Sequence, residues 1–236
     1  MIKPYRKESP VSYTEGFFPT FEMLRYHPES FERLYVALDA VDSDGLKKLK
    51  EQISDPERIV VSAKPFEVLK CKENAHVLGV FKKFVTRLDP KQDHLLLVSP
   101  SDMGNLGNAM RTLLAFGFHD LAVVEPAADL FSPKTVRASM GAIFHLRMET
   151  FKTYEDYRKA YPRAVYPFVL AKSKPLSEVT FDSPCALAFG NEATGLPKEI
   201  YNENDVRIEQ SDEVDSLNLT TSIAVALYQL RQQKSR

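Results

Sequence analysis

Apolar and polar positions form alternating blocks along this chain, and the blocks predict strands and helices in turn. Short apolar runs at 94–99 and 185–189 are typical of strands that are buried on both faces of a parallel sheet. Apolar residues three or four positions apart predict helices between such runs. The helix expected at 105–117 places Leu113 and Leu114 on its inner side. Strands that alternate with helices in this way predict an α/β fold.

Residues 1–90 are predicted to form a small α/β unit with a parallel or mixed sheet. Its helices are expected at 17–26, 44–52 and 65–70, and its strands at 33–38, 58–62 and 77–84. Ser43 or Asp42 is the expected N-cap of the second helix. The polar segment 86–93 is the predicted linker, because Pro90 disfavours helix on its N-terminal side.

Residues 91–236 continue the alternation and are predicted to form the second and larger domain. Its strands are expected at 94–99, 120–125, 142–149, 165–171, 185–189 and 206–209. Its helices are expected at 105–117, 133–139, 153–161, 197–201 and 216–233. Ser132 followed by Pro133 is a favourable helix start, with the serine as N-cap and the proline at the first helical position.

The composition is that of a soluble globular protein, with 44% hydrophobic and 27% charged residues. No apolar run approaches the ~20 residues that a membrane helix needs, and the first residues lack an apolar leader segment. We therefore expect a cytoplasmic protein with no membrane partner. Cys71 and Cys185 are too few and too far apart for a disulfide framework or a zinc site, so no metal is expected.

The formal net charge of −1 is a mild argument against a nucleic-acid partner, since phosphate contacts need lysine and arginine. A local basic patch would be sufficient for binding. Lys82 and Lys83 with Arg87 and Lys91 could supply one, and so could Lys134 with Arg137. Each of these clusters is equally consistent with an ordinary solvated face.

The strand expected at 94–99 leads into a loop and helix that carry the pattern Asn105-x-Gly107-x-x-x-Arg111. A strand, a glycine-containing loop and a helix start would place backbone N–H groups and one arginine at the carboxyl edge of a sheet. Ligands of open α/β sheets bind at that edge. Taken alone, the pattern fits several kinds of phosphate-facing loop.

Three further segments give the pattern a family resemblance. They are residues 137–145, the Gly-x-Glu-x-x-Gly-Leu loop at 190–196, and residues 208–219, which contain Ser216-Leu-Asn218. In this order and spacing they resemble the SpoU (TrmH) family of RNA ribose 2′-O-methyltransferases, in the SPOUT superfamily. The resemblance extends from the strand at 94–99 to the last helix. Residues 1–90 more weakly resemble the RNA substrate-binding domain that often precedes it.

The resemblance implies a C-terminal α/β-knot domain with a deep trefoil knot, and S-adenosyl-L-methionine as the cofactor. The residues that fall on the family's cofactor positions are Gly190, Asn191, Gly195, Leu196, Ile208 and Leu217. Those that fall on its catalytic positions are Asn105, Arg111, Glu192, Ser216 and Asn218. The resemblance also implies a homodimer. The last helix, with Leu227, Tyr228 and Leu230, is compatible with an interface.

The role of Arg111 is open between a base and a phosphate clamp. The family's arginine is commonly assigned as the base, but an arginine side chain is nearly always protonated in proteins. We therefore favour a clamp on the phosphate next to the reacting ribose, with Glu192 and Asn218 orienting that machinery.

The chain departs from the family where Glu209-Gln-Ser-Asp212 replaces Pro-Met-x-Gly, which adds negative charge near the cofactor loop. Ribosomal RNA is the favoured substrate because of the front domain. Transfer RNA is an alternative substrate, and an inactive RNA-binding module for ribosome assembly is an alternative function. A dinucleotide oxidoreductase is disfavoured, because Gly104-x-x-Gly107 is not the Gly-x-Gly-x-x-Gly fingerprint.

Overall fold

The computed structural model describes residues 3–72, 74–171, 173–211 and 213–234. Its internal contacts divide the chain into two compact units. The first unit contains Met1–Phe84 and Asp129–His145, and the second contains Val85–Ala128 and Leu146–Arg236. The boundary that we predicted at residue 90 thus differs from this division. Segment 129–145, which we predicted in the second domain, groups with the first unit.

The first unit is built on a mixed four-stranded sheet in the order β1-β4-β2-β3. Its strands are β1 (Val11–Glu15), β2 (Phe31–Val36), β3 (Ile59–Val61) and β4 (Val77–Lys82). β4 is antiparallel to both β1 and β2, whereas β3 is parallel to β2. The mixed sheet agrees with the prediction, but β1 was not predicted, because polar Ser12 and Thr14 interrupt its apolar pattern although both are buried.

Helices α1 (Phe17–Tyr26), α2 (Asp44–Gln52) and α3 (Lys64–Leu69) accompany this sheet, close to their predicted positions. The hydroxyl of Ser43 caps α2 by accepting the Leu46 N–H at 3.2 Å, as expected. α1 lies close against β4, where a Cβ on Gly79 would be 3.1 Å from the Met23 methyl group.

Segment 129–145 contributes helix α5 (Pro133–Ala138) to the first unit. Arg137 donates to the carboxylate of Glu15 at 3.0 Å, and His145 contacts the carboxylate of Glu22. The Glu15 side chain is only 8% exposed, so the Arg137 charge compensates a buried carboxylate. The family-like segment 137–145 is therefore bound to the first unit by its side chains, and Arg137 is not available as part of a free basic patch.

The second unit is built on a parallel five-stranded sheet in the order β7-β6-β5-β10-β8. Its strands are β5 (His94–Val98), β6 (Asp120–Val124), β7 (Arg147–Phe151), β8 (Ala164–Pro167) and β10 (Cys185–Phe189). All residues of β5, β6 and β10 are buried, as the continuous apolar runs predicted. A two-stranded parallel pair joins β9 (Lys174–Pro175) to β11 (Val206–Arg207).

Three helices accompany this sheet, namely α4 (Met103–Ala115), α6 (Tyr154–Ala160) and α7 (Leu219–Lys234). α4 and α7 pack on each other. No helix in the described ranges is long and apolar enough to cross a membrane.

Several predicted boundaries in the second half were wrong. Residues 142–145 form a 3-10 turn instead of the start of a strand, because Gly141 leads into them with a φ of 85°. The strand predicted at 165–171 ends at Pro167, where the chain leaves the sheet. The helix predicted from residue 216 begins at Leu219, and the segment predicted as helix at 197–201 is a 3-10 turn.

The predicted linker 86–93 is packed into the second unit. Leu88 is buried in its core, and the backbone carbonyl of Asp89 is 2.9 Å from Nε2 of the buried His94. The Tyr157 hydroxyl lies 3.0 Å from Nδ1 of the same ring. Burial lowers the pKa of His94 to about 4, so this imidazole is neutral at pH 7.

Candidate active site

A cavity of about 300 Å³ opens at the carboxyl edge of the parallel sheet. The segments that follow β8, β10 and β11 surround it, together with the start of α7. All six residues that we predicted for the cofactor line it, namely Gly190, Asn191, Gly195, Leu196, Ile208 and Leu217. Glu192 and Ser216, which we predicted as catalytic, line it as well.

The wall after β10 is a tight turn at residues 190–196. Asn191 and Gly195 exchange backbone hydrogen bonds of 3.2 and 2.9 Å across it, and Gly195 has a φ of 70°. A Cβ on Gly190 would lie 2.1 Å from the carbonyl carbon of Gly195. The turn therefore needs glycine at both positions, at one for backbone conformation and at the other for close approach.

The Asn191 side chain fixes this turn in place. Its carbonyl oxygen accepts the backbone N–H groups of Ala193 and Thr194 at 2.9 and 3.2 Å. Its amide nitrogen donates to the Ser99 carbonyl at 2.9 Å, just beyond β5. Because β5 and β10 are neighbouring parallel strands, this bond joins the two loops at one edge of the sheet.

Glu192 joins the same turn to the start of α4. One carboxylate oxygen accepts the N–H and the hydroxyl of Ser101 at 3.0 and 2.8 Å. The other accepts the Asp102 N–H at 3.3 Å and the Asn105 side-chain amide at 3.2 Å. Partial burial alone would raise the pKa of Glu192, but the hydrogen bonds from Ser101 and Asn105 bring it below its usual range. Glu192 is therefore ionised at neutral pH.

A row of polar side chains leads from Glu192 to the start of α7. Asn105 donates to Glu192, and its carbonyl oxygen lies 3.4 Å from the side-chain amide of Asn218. The Asn218 carbonyl oxygen in turn accepts the Thr220 N–H at 2.9 Å, which caps the first turn of α7. Three residues predicted as catalytic, from three separate sequence segments, are thus connected.

Arg111 lies outside the cavity. It is exposed on α4 and lines an open groove of about 470 Å³ between α4 and α7, with Asn108, Thr112, Thr220 and Thr221. Within the described part of the chain, its guanidinium makes no hydrogen bond or ion pair. Thr220 belongs both to this groove and to the polar row from Glu192, so the groove begins where that row ends.

The segment that departs from the family pattern forms part of the cavity wall. Ile208 and Gln210 line the cavity. The carboxylate of Glu209 instead accepts a hydrogen bond from the Ser177 hydroxyl at 3.0 Å. Asp212 lies outside the described residues. We expected negative charge near the cofactor loop, but the Glu209 carboxylate is not part of the cavity wall.

The sequence profile of the SpoU rRNA Methylase family matches residues 93–228, which is more than half of this chain. The chain belongs to the SpoU rRNA methylase family. The resemblance that we drew from the motifs at 105–111, 190–196 and 216–218 is confirmed. The match includes every residue that we predicted for the site.

Two relatives of this SpoU-family chain illustrate the similarity. It is 30% identical over 141 residues to the 23S rRNA (guanosine(2553)-2′-O)-methyltransferase RlmP of Bacillus subtilis. That alignment covers 58% of this chain and 57% of RlmP. It is 31% identical over 160 residues to the 23S rRNA (uridine(2479)-2′-O)-methyltransferase of Streptomyces viridochromogenes. That alignment covers 63% of this chain and 56% of the Streptomyces protein. The match thus spans little more than half of each relative.

The fold matches solved SpoU structures over nearly the whole chain. The crystal structure of the SpoU methyltransferase AviRb from Streptomyces viridochromogenes, in complex with AdoMet, superposes with a TM-score of 0.84. The match covers 96% of this chain and 91% of AviRb at 22% identity. The predicted α/β fold of the SPOUT class is confirmed.

Sequence reasoning missed several residues of the candidate site. Ser101 donates two hydrogen bonds to Glu192 and lies three residues beyond the end of β5, so its position near a strand end could have pointed to it. Phe168 and Phe189 stack in the cavity wall with ring centroids 4.5 Å apart. Phe168 was hidden because we predicted strand up to residue 171. Among the described residues, no group of three or more His, Cys, Asp or Glu side chains is placed to hold a metal ion.

Proposed function

We propose that this protein transfers a methyl group from S-adenosylmethionine to a ribose 2′-hydroxyl of RNA, and that ribosomal RNA is its substrate. One observation carries the proposal: the six residues predicted for the cofactor line a single cavity, and a polar row connects it to the groove of Arg111. The names of the two relatives, both 23S rRNA 2′-O-methyltransferases, support this reaction and this class of RNA.

The cavity suits S-adenosylmethionine in size and lining. Its volume of about 300 Å³ lies at the lower end of the range for small-molecule sites, roughly 300–1,000 Å³. Backbone of the 190–196 turn forms one wall, and the side chains of Ile208 and Leu217 add apolar surface. When bound, the cofactor supplies an electrophilic methyl group on a sulfonium.

The residues of this chain would prepare the ribose for that methyl group. Glu192 is ionised and holds Ser101 and Asn105, so it fixes the start of α4 relative to the cavity. Ser216 is exposed where it lines the cavity and can hydrogen-bond an incoming ribose. Arg111 would clamp the adjacent phosphate from the groove, where its planar fork of donors suits a phosphate. A guanidinium donates hydrogen bonds and accepts none, so Arg111 is poorly suited to removing the 2′-hydroxyl proton.

The proposal includes a homodimer and a trefoil-knotted second domain in a cytoplasmic protein. Of the three α7 residues that we predicted for an interface, Leu227 and Leu230 are buried within the chain, whereas Tyr228 is 54% exposed. Val225, one turn away, is 38% exposed. We therefore assign the dimer contact to this exposed side of α7. Sedimentation equilibrium should show a dimer for the wild type and a monomer for Tyr228→Asp; a wild-type monomer would contradict the assignment.

A methyl-transfer assay distinguishes the proposed function from its alternatives. The protein is incubated with methyl-labelled S-adenosylmethionine and with ribosomal or transfer RNA from cells that lack it. We expect label in ribosomal RNA, retained as 2′-O-methylnucleosides after digestion. Label in transfer RNA alone would identify the other substrate class. RNA binding without label, together with no cofactor binding by calorimetry at millimolar concentration, would instead show an inactive assembly module.

A further inference from the structure

The first unit carries an open groove of about 300 Å³ on its mixed sheet, outside the candidate active site. Two tyrosines, Tyr13 and Tyr35, line it together with Arg33, Lys3 and Val80. Aromatic rings beside positive charges on a sheet face form a typical surface for unpaired nucleotides.

The register of the strands explains why these residues share one face. Val80 in β4 lies opposite Tyr13 in β1 and opposite Arg33 in β2. Tyr35 is two residues beyond Arg33 and so points to the same side. The neighbouring residue Gly79 faces the other side, where α1 covers it. The groove therefore lies on the face of the sheet opposite α1.

The groove is short because the side chains on this face of the sheet become buried towards one end. Leu78, opposite Tyr35, is fully buried, whereas Val80 is only partly buried. A register shift between Phe31 and Arg33 marks a bulge in β2 at the open end. Bulges change the direction of side chains, and Arg33 here is exposed. The open length is suited to one or two nucleotides, not to a long strand.

The unpaired charges of the groove are positive. Glu32, which also lines it, forms an ion pair with Lys82 at 2.9 Å. In the part of the chain that the structure describes, the Arg33 guanidinium makes no ion pair or hydrogen bond. An apolar peptide would leave this charge without a partner, whereas a phosphate would pair with it.

We propose that this groove binds one or two unpaired nucleotides of the RNA substrate. A base would stack on the half-buried Tyr35, Tyr13 and Val80 would form the floor, and Arg33 would pair with the adjoining phosphate. Tyr13 is only 5% exposed, and its hydroxyl donates to the Lys3 carbonyl at 3.2 Å, so the floor is fixed in place. The proposal rests on the proposed function, because it assigns this surface to that reaction's substrate.

Fluorescence anisotropy of the full chain with labelled oligo(A), oligo(U) and a duplex of equal length tests the groove. We expect Tyr35→Ala to weaken binding of the single strands about tenfold, as loss of one stacked base does, while Tyr35→Phe binds nearly as the wild type. Arg33→Gln should lower the slope of log Kd against log salt by about 0.7, the loss of one phosphate contact on a single strand. The matched control is Arg25→Gln, which removes an exposed arginine from α1, and its binding should be unchanged.

The outcomes separate this proposal from the proposed function. Calorimetry with S-adenosylmethionine and a thermal unfolding curve check that each variant is folded and binds cofactor. If Tyr35→Ala and Arg33→Gln bind the single strands as the wild type does, the groove does not bind RNA, even if methyl transfer is observed. If the wild type binds neither RNA nor cofactor, the proposed function fails as well. Binding of the duplex in preference to both single strands would also overturn the groove assignment.

Discussion

At Gly190, the backbone of the 190–196 turn folds back so closely that a Cβ atom would lie 2.1 Å from the carbonyl carbon of Gly195. The atoms that this Cβ would meet belong to the main chain of Gly195 and Leu196, so no side-chain rotation can relieve the contact. A substitution here would have to open the turn, and with it the cavity wall that Asn191 and Leu196 also form.

We predict that Gly190→Ala lowers the affinity for S-adenosylmethionine by at least roughly tenfold, on the order of the 1–3 kcal/mol that strained packing costs. Isothermal titration calorimetry measures the affinity. Lys198→Ala is the matched control, because it truncates an exposed side chain just after the same turn and outside the cavity lining. Equal affinity for wild type and Gly190→Ala would show that the turn is not part of the cofactor site.

Arg111→Lys keeps the positive charge of the side chain but loses the planar fork of hydrogen-bond donors. Methyl transfer should fall roughly 10- to 100-fold, since hydrogen bonds between charged groups are worth about 1.5–3 kcal/mol. Cofactor affinity should stay unchanged, because Arg111 lies outside the cavity. Single-turnover kinetics with saturating cofactor measure the transfer step. Near-wild-type turnover would contradict a bidentate clamp.

Among the secondary-structure elements, those at the sheet centre were the most predictable. β5 and β10 are continuous apolar runs, and both are buried where the pattern predicted them. β1 could not be found, because its buried Ser12 and Thr14 look polar in sequence while hydrogen bonds satisfy their hydroxyls. Only the start of the strand expected at 142–149 was wrong, since Ile143 and Phe144 are buried in a 3-10 turn and the strand itself is Arg147–Phe151.

The predicted cofactor residues, which line one cavity, could be chosen only through the family motifs. Periodicity alone could not place β10 beside β5, so it could not bring Glu192 to Ser101 and Asn105. The separation of Arg111 from the cavity was also beyond the sequence. Arg111 is one helical turn beyond the buried Gly107, and its exposed face depends on how α4 packs against α7.

Glu192 connects two elements, and we predict that Glu192→Gln uncouples the start of α4 from the 190–196 turn. A glutamine amide keeps one accepting oxygen but places an NH₂ where the carboxylate accepted other donors. Methyl transfer should fall by about tenfold or more, because an ionic acceptor is lost and a donor–donor clash is introduced. The matched control is Glu199→Gln, an exposed glutamate in the 3-10 turn after the cavity loop. Transfer rates are compared at saturating RNA and cofactor, and equal rates would exclude a positioning role for Glu192.

On the scale of the whole molecule, the neutral His94 in the second unit makes stability depend on pH. The folded pKa of about 4 is below the ordinary 6.5, so the unfolded chain binds the proton more readily. Above pH 6.5 the imidazole is neutral in both states, and His94 does not lower the free energy of unfolding. As the pH falls from 6.5 towards 4, the unfolded chain takes up the proton first, and the free energy of unfolding decreases progressively. The full loss is about 3 kcal/mol.

Urea unfolding of the full chain between pH 7 and 4.5 measures this dependence. The decrease in unfolding free energy should be smaller in His94→Gln than in the wild type, although the variant starts from a lower stability. His119→Gln is the matched control and should keep the wild-type slope, since His119 is a histidine of the same unit outside this network. Parallel slopes for wild type and His94→Gln would contradict a neutral buried imidazole.

The proposed methyl transfer is tested most directly by a map of ribose methylation in RNA from cells with and without this protein. Resistance of the backbone to alkaline hydrolysis reports each 2′-O-methyl group. We predict that one ribose position in ribosomal RNA loses its methyl group in the deletion strain, and that the wild-type gene restores it whereas Gly190→Ala does not. Identical maps of ribosomal and transfer RNA in the two strains would contradict the proposal that this chain methylates RNA ribose.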